Sequence, residues 1–468
     1  MSATPAAPAN FGVGSWIERR ARIAPAQVAL VGGDRSLTYA ELARRIRRLA
    51  NGLRRLGVGR GDRVAWLGPN HPAFLESLFA SGLLGAALAP VNHRLAADGI
   101  RAVLADTEPS VLMQHGATDP TPMPDSVRHR ISVAGSLEEA LDFEAFVAES
   151  SDEPVQGLVG MEDVCLLSHT SGTTGPPKGV MLTHANLTWN VVNFLTCADF
   201  RRDDVTVAIA PFFRVGGTGV NVLPVLFLGG TVVVPGDLSP DGILQAMDRH
   251  RVTVGFGNPD LLDALARSEV WPRVDLSCVR FVITGGAPVP ERLIRAYLNR
   301  GVTLLQGYGL SEAAPLALLL DPHSALSRVG SAREVLSPGG WLRTGDAARS
   351  DEEGYVWIVD RVADHFLSEG QPVYPGDVER VLTGHSAVVD AGVVQVLDRG
   401  DGEAVAAVVV PSAGSKVTER EILAFGREHL AAHQAPASVT FVDHLPRNSV
   451  GKLLRAQLRE LASPPDRT

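Results

Sequence analysis

Between Leu166 and Leu187 the chain reads LLSHTSGTTGPPKGVMLTHANL, a short apolar start followed by a Ser/Thr/Gly cluster, two prolines and a lysine. Around Gly172 the backbone is free to fold tightly and turn several N–H groups to one side. The hydroxyls of Thr170, Ser171, Thr173 and Thr174 add donors, and Lys178 adds a full positive charge. This combination suits the oxygens of a polyphosphate. It is not a Walker A loop, because Gly172 and Lys178 do not fit the GxxxxGK[ST] spacing. On its own, a Ser/Thr/Gly loop reads equally well as a surface turn, so the rest of the chain has to decide.

The segment resembles the signature phosphate loop of the adenylate-forming superfamily, which includes acyl-CoA synthetases, firefly-type luciferases and peptide-synthetase adenylation domains. Further matches follow in that superfamily's order. TGGAPVP at 284–290 resembles the strand end that lines the adenine pocket, with Gly285, Gly286 and Ala287. GYGLSE at 307–312 is similar to the adenine-stacking and magnesium segment. The resemblance implies that Tyr308 stacks on adenine, Ser311 bonds the α-phosphate and Glu312 holds Mg²⁺. A hard cation takes a carboxylate together with phosphate oxygens. WLRTGD at 341–346 resembles the ribose-binding motif, with Asp346 accepting from the hydroxyls, and Arg361 matches the second ribose contact. PRNSVGK at 446–452 resembles the catalytic-lysine motif. The implied chemistry is attack of an oxyanion on the α-phosphorus of ATP with loss of pyrophosphate. Lys452 would bridge the attacking oxygen and the α-phosphate, and Lys178 and Mg²⁺ would offset the charge of the leaving group.

Four departures from the family pattern stand out. Val329-Gly330-Ser331 reaches Trp341 within a few residues where family members carry several dozen, so a third, β-rich N-terminal subdomain is expected to be largely missing. The hinge position of acyl-CoA synthetases, an Asp or Lys, aligns with Ala363. In SEGQPVYP at 368–375, Glu369 replaces a glycine of the loop that lines the pantetheine channel, where a carboxylate would crowd and repel CoA. In PFFRVGG at 211–217, Arg214 follows Phe213 where histidine is usual, beside the organic substrate. Arginine offers planar, bidentate recognition of an oxyanion. Together with Asn258 and Asp260 of GNPD, and with Gly285 and Gly309 nearby, it marks a pocket for a polar acid.

The elements that must position these residues read as α/β. Thr38-Tyr39-Ala40-Glu41 has capping-box spacing, and Leu42, Ile46, Leu49, Leu53 and Leu56 repeat at helical intervals. Arg44, Arg45, Arg47, Arg48, Arg54 and Arg55 are expected on the opposite, solvated face. Arg63–Leu67 reads as a strand, His71–Leu88 as a buried helix, and Val215–Gly236 as a buried helix followed by the strand Thr231–Val234. Strand–helix alternation of this kind argues for largely parallel sheets. The expected architecture is a large N-terminal domain of stacked α/β subdomains, 1–360, and a small mobile α+β C-terminal lid, 361–468.

Composition narrows the field. Hydrophobic residues make up 45% and charged residues 20% of 468, with a formal net charge of −9, which excludes a disordered chain and a wholly basic nucleic-acid binder. Cys165, Cys197 and Cys278 are sparse and lack metal-ligand spacing, which suits a reduced cytoplasm. No basic region precedes an apolar run at the N-terminus, so no signal peptide is read, and no uninterrupted apolar span is found. The expectation is an ATP- and Mg²⁺-dependent ligase that activates an aryl or other polar acid, with CoA as the family's default acceptor. A diazotase that activates nitrite and diazotises an amino-aryl acid explains the departures on the CoA side. A non-catalytic nucleotide binder conflicts with the retained motif residues.

Overall fold

Short Val/Ala/Leu-rich strands buried on both faces build the N-terminal half as parallel sheets, as continuous apolar runs require. The computed structural model describes residues 10–462 except 34, 117–121, 135–136, 138, 171–177, 321–330, 335–343, 363, 369–370, 398–402 and 448–452. The chain divides into two compact units, 1–339 and 340–468, so the segment carrying Asp346 and Arg361 groups with the second.

The first unit holds two sheets. In one, the strands run in the order Leu141–Asp142, His129–Ala134, Val111–His115, Arg63–Leu67, Ala87–Val91, Val164–Thr170 and Lys178–Thr183. All neighbours are parallel except the last pair, a hairpin that flanks the 171–177 loop. In the other, Phe281–Gly285 lies between Val254–Gly257 and Thr303–Tyr308, all parallel, and Leu318–Leu319 turns back antiparallel on Tyr308. One apolar core joins helices and strands of both sheets, with Trp66, Phe74, Phe79, Phe194 and Phe212 among its largest members. Only residues 335–345 separate Ser331–Glu334 from Asp346–Ser350, too few for a further β-rich subdomain.

Local signals account for many boundaries. The helix Tyr39–Arg55 starts at Thr38 with a full capping box, and buries Leu42, Ile46, Leu49 and Leu53. Its arginines do not form a uniformly solvated face. Arg45 pairs with the buried Glu76 at 2.8 Å and with Glu144 at 2.9 Å, and Arg47 pairs with Glu18 at 2.9 Å. The neighbouring helices place carboxylates opposite that face, which a charge run cannot reveal. The helix expected over 71–88 spans Pro72–Leu84 and stops at Gly85, whose φ of 69° leaves the helical region. Ala87–Val91 is then a strand of the first sheet.

In the second unit, Val388–Leu397, Glu403–Pro411 and Ser438–Phe441 form a sheet covered on both faces. Val393 and Ala407 face the helices Pro375–Leu382 and Glu419–His429, while Val394, Ala406 and Val408 face Leu458 of Arg455–Ala462. This alternation follows the two-residue period of a strand. No described helix is long and apolar enough to cross a membrane.

His184 gives the fold a pH dependence. It opens the helix after the phosphate-loop hairpin, and its Nδ1 accepts the Val13 N–H at 3.0 Å in a fully buried setting. Burial lowers its pKa to about 4, from an ordinary 6.5. Above pH 6.5 both folded and unfolded forms are neutral. Between 6.5 and 4 the unfolded chain takes up a proton that the folded chain refuses, so stability falls with pH, by on the order of 3 kcal/mol. Urea midpoints at pH 7.5 and 5 are expected to differ less in His184→Asn, which keeps an acceptor but cannot titrate. An unchanged difference would remove His184 from this role.

Candidate active site

The C-terminal edges of the parallel strands in the second sheet, where ligands of open α/β sheets bind, carry the motif residues from Gly285 to Ala287 and from Tyr308 to Glu312. Phe281–Gly285 ends at Gly285, and Gly286, with φ of 86°, and Ala287 are exposed beyond it. Thr303–Tyr308 brings Tyr308, half-buried, to the neighbouring strand end. A Cβ on Gly285 would collide with the Gly307 carbonyl and one on Gly309 with the Pro315 carbonyl, so glycine alone permits the close backbone approach. Ser311–Ala313 is a 3₁₀ turn that exposes Glu312 and lies against the strand Lys178–Thr183. The fold thus brings the Lys178 strand beside the Glu312 turn, although the two are far apart in sequence. Thr284 is fully buried at the same edge.

Lys178 is exposed and opens its strand, and Thr170 closes the strand opposite it, its hydroxyl 3.5 Å from the Lys178 carbonyl. Ser171, Gly172, Thr173 and Thr174 lie outside the described residues. His169, one residue earlier, is tied to Asp106 at 2.8 Å. This bond anchors the strand to the helix Ala97–Thr107, and no local sequence signal announces it.

On the acid side, Phe213 is buried and Arg214 half-buried. Asn70 fixes this segment, donating to the carbonyls of Ala208 and Ala210 at 2.9 and 2.8 Å and accepting the Phe212 N–H at 2.8 Å. Arg94 lies 5.7 Å from the Phe213 ring centroid, and His93 meets the same ring edge-on at 5.6 Å. His93 Nδ1 is buried without a partner among the described residues. Burial, and then the nearby Arg94, hold the Arg214 pKa below the usual guanidinium value. Among the described residues no ion pair neutralises Arg214. Asn258, expected in the acid pocket, also has a structural role. Its side chain accepts the Leu261 N–H at 3.2 Å and caps Pro259–Ala266. Asp260 is exposed in that helix's first turn.

In the second unit, Asp346 and Arg361 face each other across the hairpin Asp346–Ser350/Val356–Arg361. Arg361 Nε reaches Asp346 Oδ1 at 2.7 Å and Nη1 donates to the Thr344 carbonyl at 3.0 Å. Lys452, Glu369 and Ala363 lie outside the described residues.

The AMP-binding enzyme family matches residues 17–340. The chain belongs to this family. The C-terminal domain of AMP-binding enzymes matches 377–452, which includes Lys452. A feruloyl-CoA synthase from an Amycolatopsis species is 41% identical, covering 96% of this chain and 99% of that protein. An indoleacetate–CoA ligase from Aromatoleum aromaticum is 33% identical over 96% and 98%. The o-succinylbenzoate coenzyme A synthetase of Bacillus subtilis, in complex with ATP and a magnesium ion, superposes with a TM-score of 0.83 at 26% identity, covering 95% of this chain and 99% of that one. The alignment with the feruloyl-CoA synthase spans 495 positions, more than this chain can fill, so that relative carries residues absent here. This AMP-forming ligase family uses ATP and Mg²⁺, and an exposed carboxylate at Glu312, the Lys178 cation and the open strand ends fit both.

Proposed function

We propose that this protein joins an aromatic carboxylic acid to AMP and passes the acyl group to CoA. Identity over nearly the whole chain to two ligases named for aryl acids carries this reading. In the first step a carboxylate oxygen attacks the α-phosphorus, forming an acyl–phosphate bond as pyrophosphate departs. In the second the CoA thiolate displaces AMP.

The motif residues divide the work between nucleotide, metal and acid. Gly286 and Ala287 form the adenine edge, Tyr308 stacks on the base, and the Asp346–Arg361 pair receives the ribose hydroxyls. Thr170, Ser171, Gly172, Thr173, Thr174 and Lys178 take the phosphates, and Ser311 bonds the α-phosphate. Bound Mg²⁺ would supply charge neutralisation on the phosphate oxygens, and Glu312 would hold it. Lys452, carried on the 361–468 lid, neutralises charge where the acid meets phosphorus. Phe213, Arg214, Asn258, Gly285 and Gly309 border the acid. Arg214 lacks an acidic partner among the described residues, so an anionic substrate group completes its coordination.

Product identification tests the reading. ATP, Mg²⁺ and a panel of fatty, aryl and amino-aryl acids are incubated with CoA or with nitrite, and products are read by mass spectrometry. Aryl thioesters with stoichiometric AMP are expected. Nitrite- and amine-dependent AMP release with a diazo product and no thioester would overturn the CoA reading in favour of a diazotase.

A further inference from the structure

Arg455 opens the helix Arg455–Ala462, three residues beyond Lys452 in sequence. Its side chain is only 15% exposed and reaches three carboxylates: Glu379 at 2.7 Å, Asp364 at 3.6 Å and Asp360 at 3.8 Å. It also donates to the Val393 carbonyl at 2.8 Å. Glu379 accepts the Val393 N–H at 2.9 Å, and Asp360 accepts the N–H groups of Gly376 at 2.6 Å and Arg361 at 2.7 Å. One guanidinium thus serves three acids. As a device for stability this is inefficient, because burying charge costs about as much as pairing returns. Its placement points to a different role.

Asp360 and Asp364 bracket position 363, where the family resemblance puts the lid's hinge. Arg455 therefore grips the chain on both sides of that position. The far end of the lysine-bearing loop is tied as well. Arg447 forms a β-bridge with Leu453 and an ion pair with Asp390 at 2.7 Å, and the Leu454 N–H donates to the Pro446 carbonyl at 2.9 Å.

We propose that Arg455 is a positioning residue that couples the lysine-bearing loop to the hinge segment through Asp360 and Asp364. Arg455 ties the start of the helix that follows Lys452 to Asp360 and Asp364, so its loss is expected to act on the half-reaction that the lysine serves. The inference rests on the adenylating reading above, in which the lysine serves the first half-reaction alone.

The two half-reactions are measured separately in the full chain. Pyrophosphate exchange reports adenylation, using the acid of the panel that releases most AMP. Thioester formation from that acid's synthetic adenylate plus CoA reports the second step. In Arg455→Met, the exchange kcat is expected to fall by about tenfold or more, since small misplacements of a reacting group are costly. KM for ATP and acid, and thioester formation, stay near wild type, and Arg455→Lys recovers part of the loss. Asp364→Asn changes a more exposed member, 40% exposed, and is expected to shift the same half-reaction less. It decides the matter by the same split if Arg455→Met does not fold. Parallel loss of both half-reactions, or no loss in a folded variant, overturns the coupling. Absence of exchange with every acid in the wild type is a different result and removes the adenylating reading itself.

Discussion

Replacing Lys452 by alanine is expected to abolish adenylate formation, lowering pyrophosphate exchange by at least about a hundredfold, while ATP still binds. The attacking carboxylate and the α-phosphate are both anionic, so the barrier is largely electrostatic and one well-placed cation carries much of it. The lysine makes its contribution where charge builds up during transfer, so the loss belongs to kcat and leaves nucleotide affinity near wild type. Thioester formation from a synthetic adenylate and CoA is expected to survive, because the phosphorus is already joined to the acid. Near-normal exchange by Lys452→Ala would remove the residue from the reaction. Loss of ATP binding, read by calorimetry, would instead make it a binding residue.

Arg214→Met is expected to raise KM for the acid roughly tenfold to a hundredfold, the range of a charge-assisted hydrogen bond, and to leave KM for ATP unchanged. Arg214 is half-buried, burial and Arg94 both disfavour its charge, and no described ion pair compensates it. An anionic ligand is what relieves that arrangement. Arg214→Lys is expected to recover only part of the affinity, because an ammonium lacks the planar fork. Steady-state AMP release with acid and ATP varied independently checks this. An unchanged acid KM would make Arg214 a structural cation.

Particular residues mark where local reading ends. Thr38 and Glu41 announce their helix because a capping box is complete within four residues, and the Thr231–Val234 strand is legible as an apolar run between turns. The charge run puts Arg45 on a solvated face, whereas Glu76 and Glu144 reach it from other helices. Asn258 reads as a pocket residue, yet its side-chain oxygen caps a helix. That use is open to sequence reading, since Asn-Pro-Asp is also a helix-start signal.

The family and the order of its motif segments are legible in the sequence, because each is a short run that matches the family pattern without help from distant residues. The sequence also determined the α/β class, through the alternation of apolar periods. Only folding brings the Lys178 strand against the Glu312 turn, sets Asn70 on the segment before Arg214, and puts Arg94 and His93 on the Phe213 ring. It alone places Arg455 among Asp360, Asp364 and Glu379. All of these partners are dozens of residues or more apart in sequence. Their meeting depends on sheet order and crossover connections, which no local pattern of residues encodes.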